Sequence, residues 1–284
     1  METGWSGETV LNNNLSMPRL GLGLWGPREG AETELAVSAA LEAGYRLFDS
    51  ASVYHNEKSL GLALMASGLK REDYFVVGKI WNDEQGWLGP QEAMKRSLDN
   101  LGLGYFDLTL IHWPTRQSGL TWRALAQARF LGLTRSIGVA NFSPTQLLAL
   151  VEETGLSPQV WQMEIHPLRV RADLPPLAAA WGIQLMAYSP LARGRLKKNQ
   201  VIGRIAQKLD RSFSQVILRW AWQRGLGVIP KSVKPDRIKE NAQIFDFSLS
   251  NEDMTAITRL DQARSVLKPP FVFDEAGYVL ASAQ

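Results

Sequence analysis

Phe106-Asp107-Leu108-Thr109-Leu110-Ile111 is a short apolar run that ends at a polar residue, His112, and this combination recurs along the chain. Seven further runs are similar to it: Arg19–Gly23, Tyr45–Asp49, Tyr74–Lys79, Thr134–Val139, Val160–Gln162, Gln184–Ala187 and Leu226–Ile229. Successive runs start about 25–45 residues apart, which is the length of one strand–helix unit. Most of them lack alternation of apolar and polar residues, as is typical of strands buried on both faces. The pattern predicts parallel strands that alternate with helices.

Helix signals lie between the predicted strands. Ser143-Pro144-Thr145-Gln146 offers an N-cap, a first-turn proline and a capping-box glutamine, and Ser250-Asn251-Glu252-Asp253 opens a helix with acids in its first turn. Eight strands and their helices over about 250 residues predict a (β/α)8 TIM barrel, with an open doubly wound sheet as the competing α/β fold. No change of composition suggests a linker, so we expect one domain over residues 1–284. The first eighteen residues would form a short N-terminal extension, and the tail after Ser265 lies outside the repeat.

The composition limits the chemistry. The chain has 284 residues, 45% of them hydrophobic, which argues against disorder, and it has no Cys, which excludes disulfides, thiolate metal sites and thiol catalysis. A metal site built on histidine would need nearly all of His55, His112 and His166, so we expect no metal. The net charge is +3, and the densest basic stretch, Lys231–Lys239, is local, which favours an anion site over nucleic-acid binding. Met1–Trp5 does not resemble a signal peptide and no apolar run would span a bilayer, so we expect a cytoplasmic protein.

Polar side chains follow the predicted strands at the end where TIM-barrel enzymes carry their active sites. Seven of the eight strands have one: Asp49, Lys79, His112, Asn141, Gln162, Tyr188 and Lys231. Each alone is compatible with a helix cap or a solvated loop residue. Because all of them would meet on one face of the barrel, their convergence favours a functional site.

Gly21-Leu22-Gly23-Leu24-Trp25-Gly26 matches the G-x-G-x-x-G pattern of dinucleotide-binding Rossmann folds. That fingerprint needs its third glycine inside a helix, whereas here a loop, Pro27–Gly30, follows and the helix signal begins only near Ala31. We therefore interpret the stretch as a tight strand end that carries an exposed Trp25 into the pocket.

Five motifs, in order along the chain, resemble the aldo-keto reductase family. They are Asp49-x4-Tyr54 within Phe48–Glu57, the strand-end Lys79, Leu110-Ile111-His112-Trp113-Pro114, Gly138–Phe142 with Asn141, and Lys231-Ser232-x4-Arg237-Ile238-x-Glu240-Asn241. The resemblance runs from about Gly21 to Leu260 and is strongest to bacterial enzymes of the keto-sugar and methylglyoxal-reducing type. It implies a monomeric, NADPH-dependent enzyme that reduces aldehydes or ketones to alcohols.

The resemblance assigns catalysis to four residues: Asp49, Tyr54, Lys79 and His112. Reduction of a carbonyl by hydride leaves an alkoxide that needs a proton and nearby positive charge. Tyr54 is the expected proton donor, and because the pKa of a free tyrosine is about 10, we expect the Lys79 ammonium to lower it. Asp49 would keep Lys79 protonated, and His112 would orient the carbonyl oxygen. Without the resemblance, a surface tyrosine, a core histidine and a structural ion pair would explain the same residues.

Ten residues match the family's cofactor-binding positions. Three would hold the carboxamide of the nicotinamide or stack on its ring: Asn141, Gln162 and Tyr188. Two lie on the loop that would cover the pyrophosphate: Ser189 and Leu191. Five match the pocket for the 2′-phosphate and adenine: Lys231, Ser232, Arg237, Glu240 and Asn241. A guanidinium beside an ammonium suits a dianionic phosphate, so we expect NADPH rather than NADH, with a solvated basic loop as the alternative.

The substrate side of the site would be aromatic. Trp25, Trp81 and Trp113 follow the first, third and fourth predicted strands and would line it together with His112. The tail Lys268-Pro269-Pro270-Phe271-Val272-Phe273 matches the family's specificity loop. Its two prolines would stiffen the loop, and its two phenylalanines, Phe271 and Phe273, would close over the pocket. Such a pocket favours a small carbonyl compound: a keto-sugar, a dicarbonyl such as methylglyoxal, or an aromatic aldehyde.

Several positions depart from the family's usual residues. Ala140 replaces a serine that shares the carboxamide with Asn141, which would cost about 1 kcal/mol of nicotinamide affinity. Leu24 and Gly78 each replace a common threonine, and Trp161 an asparagine. Two alternatives to a reductase stay open: a nicotinamide-binding sensor that has lost turnover, and a phosphate-processing barrel enzyme that uses Lys231 and Arg237 on its substrate.

Overall fold

The structure, a computed structural model, describes residues 7–269 and 271–280; Met1–Trp5 and Pro270, which carry sequence predictions, lie outside them. Within these ranges the strands are β1 Glu8–Val10, β2 Ser16–Pro18, β3 Gly21–Gly23, β4 Leu47–Asp49, β5 Phe75–Ile80, β6 Phe106–Ile111, β7 Thr134–Ala140, β8 Val160–Glu164, β9 Gln184–Tyr188 and β10 Gly227–Ile229. The α-helices are α1 Ala31–Glu42, α2 Glu57–Ala66, α3 Gly89–Leu101, α4 Ser118–Phe130, α5 Pro144–Thr154, α6 Leu174–Ala180, α7 Gln200–Leu209, α8 Phe213–Gln223, α9 Pro235–Ala242 and α10 Asn251–Thr258.

Strands β3 to β10 form one parallel sheet in chain order. The sheet closes on itself: the Val228 N–H donates to the Arg19 carbonyl (2.6 Å), and the Gly23 N–H donates to the Pro230 carbonyl (3.1 Å). Helices follow the strands and cover the outside. The prediction of a (β/α)8 barrel is confirmed, and the doubly wound alternative is wrong. All eight predicted strands are present, with β6 at its predicted bounds.

Buried apolar side chains form two layers, because each barrel strand is covered on both faces. Leu47, Val77 and Met186 lie in the layer inside the barrel. Three of the largest fully buried side chains, Trp122, Trp161 and Trp220, lie in the layer between the strands and the helices. These tryptophans are core residues and line neither of the two cavities described below.

An antiparallel hairpin, β1 and β2, covers the amino-terminal floor of the barrel. Leu11 and Met17 are buried against the inner layer, and the Asn13 side-chain amide donates to Ser136 at the start of β7 (2.9 Å). Residues 7–18 of the predicted N-terminal extension therefore close the floor of the barrel. With the floor covered, access to the barrel interior lies at the carboxyl ends of the strands.

The helix starts agree with the sequence signals. Ser143 with Gln146 caps α5, and Ser250 with Asp253 caps α10, both as complete capping boxes. Helix α1 begins at Ala31, so Gly26 is not inside a helix and the Rossmann interpretation stays rejected. None of the helices in residues 7–269 and 271–280 is long and apolar enough to cross a membrane.

Candidate active site

The four predicted catalytic side chains meet at the carboxyl ends of β4, β5 and β6. Asp49 ends β4, Lys79 lies near the end of β5, and His112 directly follows β6. The Lys79 ammonium is 2.6 Å from Asp49 Oδ1 and also donates to the Ser50 carbonyl (2.8 Å). It lies 4.9 Å from the centre of the Tyr54 ring, and the Tyr54 and His112 rings are 5.8 Å apart, edge to face.

The Asp49–Lys79 pair lies beneath Tyr54 and His112, with Asp49 3% and Lys79 4% exposed. Gln162 donates to the second carboxylate oxygen of Asp49 (2.7 Å), so both oxygens have a donor. Burial lowers the pKa of Lys79, and the attraction of Asp49 opposes that effect. The positive charge of Lys79 therefore depends on Asp49.

Tyr54 and His112 are both held in their neutral forms. Burial, then the Asp49 charge and then Tyr188 raise the pKa of the Tyr54 phenol well above its usual value. Burial, then the Lys79 charge, lowers the pKa of the His112 imidazole well below its usual value. The expected lowering of the Tyr54 pKa is wrong as a net result, because burial and then the Asp49 charge raise it. At neutral pH the phenol keeps its proton.

An aromatic cavity of about 420 Å³ opens above the four residues. The predicted substrate-side residues line it: Trp25, Trp81, His112, Trp113 and Phe271. Trp81 stands edge to face against His112 (4.9 Å between ring centres) and against Phe271 (6.0 Å), and Trp113 does so against Phe271 (5.0 Å). Phe273, by contrast, packs behind Phe271 and Trp113 and is not on the cavity wall.

A second cavity, of about 360 Å³, lies beside the first and is strongly basic. Five cationic side chains line it: Arg193, Lys197, Lys231, Lys234 and Arg237. Two of them, Arg193 and Lys231, line both cavities. None of the five forms an ion pair with a carboxylate of the described chain. Positive charge without an acidic partner indicates a site for an anion.

The predicted cofactor residues divide between the two cavities. Asn141, Gln162, Tyr188 and Ser189 line the aromatic cavity, and Leu191, Ser232 and Asn241 the basic one, together with Lys231 and Arg237. Glu240 is on neither wall and accepts a hydrogen bond from the Ser212 hydroxyl. The sequence analysis missed Arg193 and Lys197, for which the basic run Arg193-Gly194-Arg195-Leu196-Lys197-Lys198 after β9 was the available signal. Lys234 lies in the basic stretch predicted as an anion site but was not singled out.

Polar side chains between the cavities are already fixed in place. Asn141, in left-handed backbone geometry (φ 66°), donates to the His112 carbonyl (2.9 Å) and accepts from the Tyr188 hydroxyl (2.7 Å). The Arg193 guanidinium lies over the Trp25 ring (4.5 Å), so the loops after β3 and β9 meet there. An aromatic and amide-lined end joined to a cationic end fits a nicotinamide dinucleotide that carries a phosphate.

The four residues that depart from the family's usual ones lie behind the walls of the site. Leu24 is fully buried, and Ala140 lies in the inner core layer. A Cβ at Gly78 would lie 2.6 Å from the Phe106 ring, so that ring occupies the space of a larger residue. The indole N–H of buried Trp161 donates to the Phe142 carbonyl (3.0 Å), which fixes the loop that carries Asn141.

Comparisons with known proteins agree with this geometry. A model of the aldo/keto reductase family matches residues 19–262. The chain is 42% identical to the glyoxal reductase of Bacillus subtilis over 267 residues, 94% of this chain and 97% of the relative. It is 44% identical to the methylglyoxal reductase DkgA of Yersinia pestis over 262 residues, 90% and 94% of the two chains. An aldo-keto reductase structure from Bombyx mori in complex with NADP is 34% identical, with a TM-score of 0.86 over 92% of this chain and 94% of that one. The prediction of an aldo-keto reductase enzyme is confirmed, and this chain belongs to the aldo/keto reductase family.

Proposed function

We propose that the protein is an NADPH-dependent reductase of small aldehydes and ketones, with Tyr54 as the proton donor. The observation that carries the proposal is the position of Tyr54 and His112 at the floor of an aromatic cavity, above the buried Asp49–Lys79 pair and beside a basic cleft. NADPH, when bound, supplies the hydride that reduces the carbonyl carbon.

The raised pKa of Tyr54 fits a donor that must hold its proton until negative charge develops on the substrate oxygen. The Lys79 ammonium then stabilises the tyrosinate that remains, and Asp49 keeps that ammonium protonated. Neutral His112 donates a hydrogen bond that orients the carbonyl oxygen. Fixed donors of this kind need no rearrangement when the charge forms.

The basic cleft supports NADPH over NADH. Lys231, Lys234 and Arg237 would bind the 2′-phosphate, and Arg193 lies between that cleft and the reaction site. Asn141 and Gln162 would hold the carboxamide, with the Tyr188 ring against the nicotinamide. The NADP complex of the Bombyx mori protein supports the same choice.

We propose glyoxal-type dicarbonyls as substrates, because relatives above 40% identity are named for glyoxal and methylglyoxal. The cavity volume and its aromatic walls also suit an aromatic aldehyde held against Trp113 and Phe271. The monomeric state and the cytoplasmic location stay predictions.

The test compares NADPH oxidation by wild type and Tyr54→Phe with methylglyoxal and an aromatic aldehyde. Tyr54→Phe keeps the ring and should lower kcat by about 10²–10⁴-fold while NADPH still quenches tryptophan fluorescence. Arg237→Ala should weaken NADPH binding but not NADH binding. NADPH binding without turnover of any substrate would favour the sensor, and absence of NADPH binding would refute the cofactor assignment.

A further inference from the structure

The C-terminal tail starts at a buried carboxylate that the proposed chemistry does not use. Glu164, the last residue of β8, is 5% exposed. Its Oε2 accepts from the Ser265 hydroxyl (2.6 Å), and its Oε1 accepts from the Val266 N–H (2.6 Å). The His166 ring lies 3.0 Å from Oε1. Glu164 thus directs both oxygens to the first residues of the tail.

This carboxylate stays ionised in its buried position. Burial alone would raise the pKa of Glu164, but hydrogen bonds from His166, Ser265 and Val266 outweigh burial and the pKa falls below its usual value. Neither Arg nor Lys pairs with it in the described residues. Two of the three groups that hydrogen-bond this buried carboxylate, Ser265 and Val266, belong to the tail, so the charge fixes the start of the tail.

The tail has a second attachment between Asp274 and Val279, at the loop after β6 and at the start of α5. The Asp274 carboxylate pairs with Arg116 (2.7 Å), and the Val279 N–H donates to the Pro114 carbonyl (2.8 Å). Gln146, in the capping box of α5, donates to the Ala276 carbonyl (3.0 Å). The tail is therefore bound at two separate places on the barrel mouth.

Between the two attachments the tail forms part of the substrate pocket. Leu267, Lys268, Pro269 and Phe271 line the aromatic cavity, and the Phe271 ring stands against Trp81 and Trp113. The first of these residues follows Val266 directly. A shift at Val266 should therefore displace the adjoining pocket residue Leu267.

We propose that Glu164 is a positioning residue for substrate specificity: by binding Ser265 and Val266 it fixes Phe271 in the substrate pocket. This inference rests on the proposed reductase function and concerns only some of its substrates. Those are carbonyl compounds large enough to reach Phe271 from Tyr54 and His112, such as an aromatic aldehyde. A three-carbon dicarbonyl held at Tyr54 and His112 does not need that wall.

We call the hydrogen bonds of Glu164 to Ser265 and Val266 the clamp. Ser265→Ala tests the clamp, because the Ser265 hydroxyl forms hydrogen bonds only with Glu164 and Leu267 among the described residues. It should raise the KM of an aromatic aldehyde about tenfold and leave kcat and KM for methylglyoxal, and the Kd of NADPH, within about twofold. Ser67→Ala is the matched control. Ser67 accepts from the N–H two residues ahead, as Ser265 does, but lies at the end of α2 and should change nothing.

A double-mutant cycle with Phe271→Ala completes the test. In that background Ser265→Ala should have no further effect on the aromatic aldehyde. Additive effects, or equal losses with both substrates, would overturn the proposal.

Hydrogen exchange separates the clamp from the reductase assignment. Both Ser265→Ala and Glu164→Gln should speed amide hydrogen exchange at residues 266–268 and 271, the positions of this stretch that carry an N–H, whether or not either substrate is reduced. If exchange speeds up but no substrate is turned over, the proposed function fails and the clamp stands. Unchanged exchange in both variants overturns the clamp.

Discussion

Asp49→Asn should separate the stability of the site from its chemistry. The substitution keeps the side-chain shape but removes the negative charge 2.6 Å from the buried Lys79 ammonium. At an effective dielectric near 20, that attraction is worth roughly 6 kcal/mol before desolvation. Removing one partner of a buried pair typically costs about 3–5 kcal/mol of unfolding free energy. Because Asp49 opposes the lowering of the Lys79 pKa by burial, that pKa should fall further.

The kinetic consequence has a definite sign. With a lower pKa, Lys79 loses its proton at a lower pH, so the decline of kcat with rising pH should move to lower pH in Asp49→Asn. The assays are urea unfolding and a pH profile of kcat with methylglyoxal.

Asp107→Asn is the matched control for this prediction. Asp107 is a buried carboxylate at the opposite end of the barrel, paired with Arg71 (2.7 Å) and Arg135 (3.3 Å). The Asp107→Asn variant should lose a similar amount of unfolding free energy but keep the wild-type pH profile of kcat. Wild-type turnover and an unshifted profile in Asp49→Asn would refute the role given to the buried pair.

Three further predictions concern the surroundings of the site. Gly78→Ala should lower the unfolding free energy, measured by urea titration, by about 1–3 kcal/mol, because the added Cβ meets the Phe106 ring. Adding Phe106→Leu to this variant should restore part of the lost stability. An unchanged unfolding free energy in Gly78→Ala would contradict the packing described here. Trp161→Phe removes the hydrogen bond to the Phe142 carbonyl and should lower the unfolding free energy by about 1 kcal/mol. Because that bond fixes the loop that carries Asn141, NADPH binding should also weaken. An unchanged Kd of NADPH in a fluorescence titration would contradict this prediction. The pKa of Glu164 in the folded protein is below the usual 4.5, so the stability that its ionised form contributes is complete above pH 4.5 and is lost as pH falls through the folded-state pKa. The Tm difference between wild type and Glu164→Gln should therefore shrink on acidification. A difference that stays constant with pH would refute this prediction.

The barrel and the four central residues were predictable because both follow from local patterns. Runs such as Phe106–Ile111 mark strands by composition, and parallel strands place their carboxyl ends on one face. Residues 49, 79 and 112 were therefore expected to be neighbours although 30 and 33 positions separate them along the chain. The same rule placed Asn141 and Gln162 beside them.

Contacts that depend on irregular segments were not predictable. Residues 8–18 contain no periodic signal for a plug, because their burial comes from Leu11 and Met17 meeting the barrel interior. The contact between Glu164 and Ser265 joins residues 101 positions apart through a loop of no regular pattern. The predicted direction of the Tyr54 pKa shift was wrong because the sequence shows which charged residues are near, but not how completely the Tyr54 hydroxyl is removed from water.

Strand β8 connects the two parts of the site. Gln162 and Glu164 are two residues apart, so their side chains leave the same face of the strand. Gln162 donates to Asp49 beneath the proton donor, whereas Glu164 binds the tail that carries Phe271. Glu164 also lies opposite Tyr188 in the register of β8 with β9. A substitution that shifts β8 should therefore alter turnover and substrate size preference together, whereas one confined to the tail should alter preference alone.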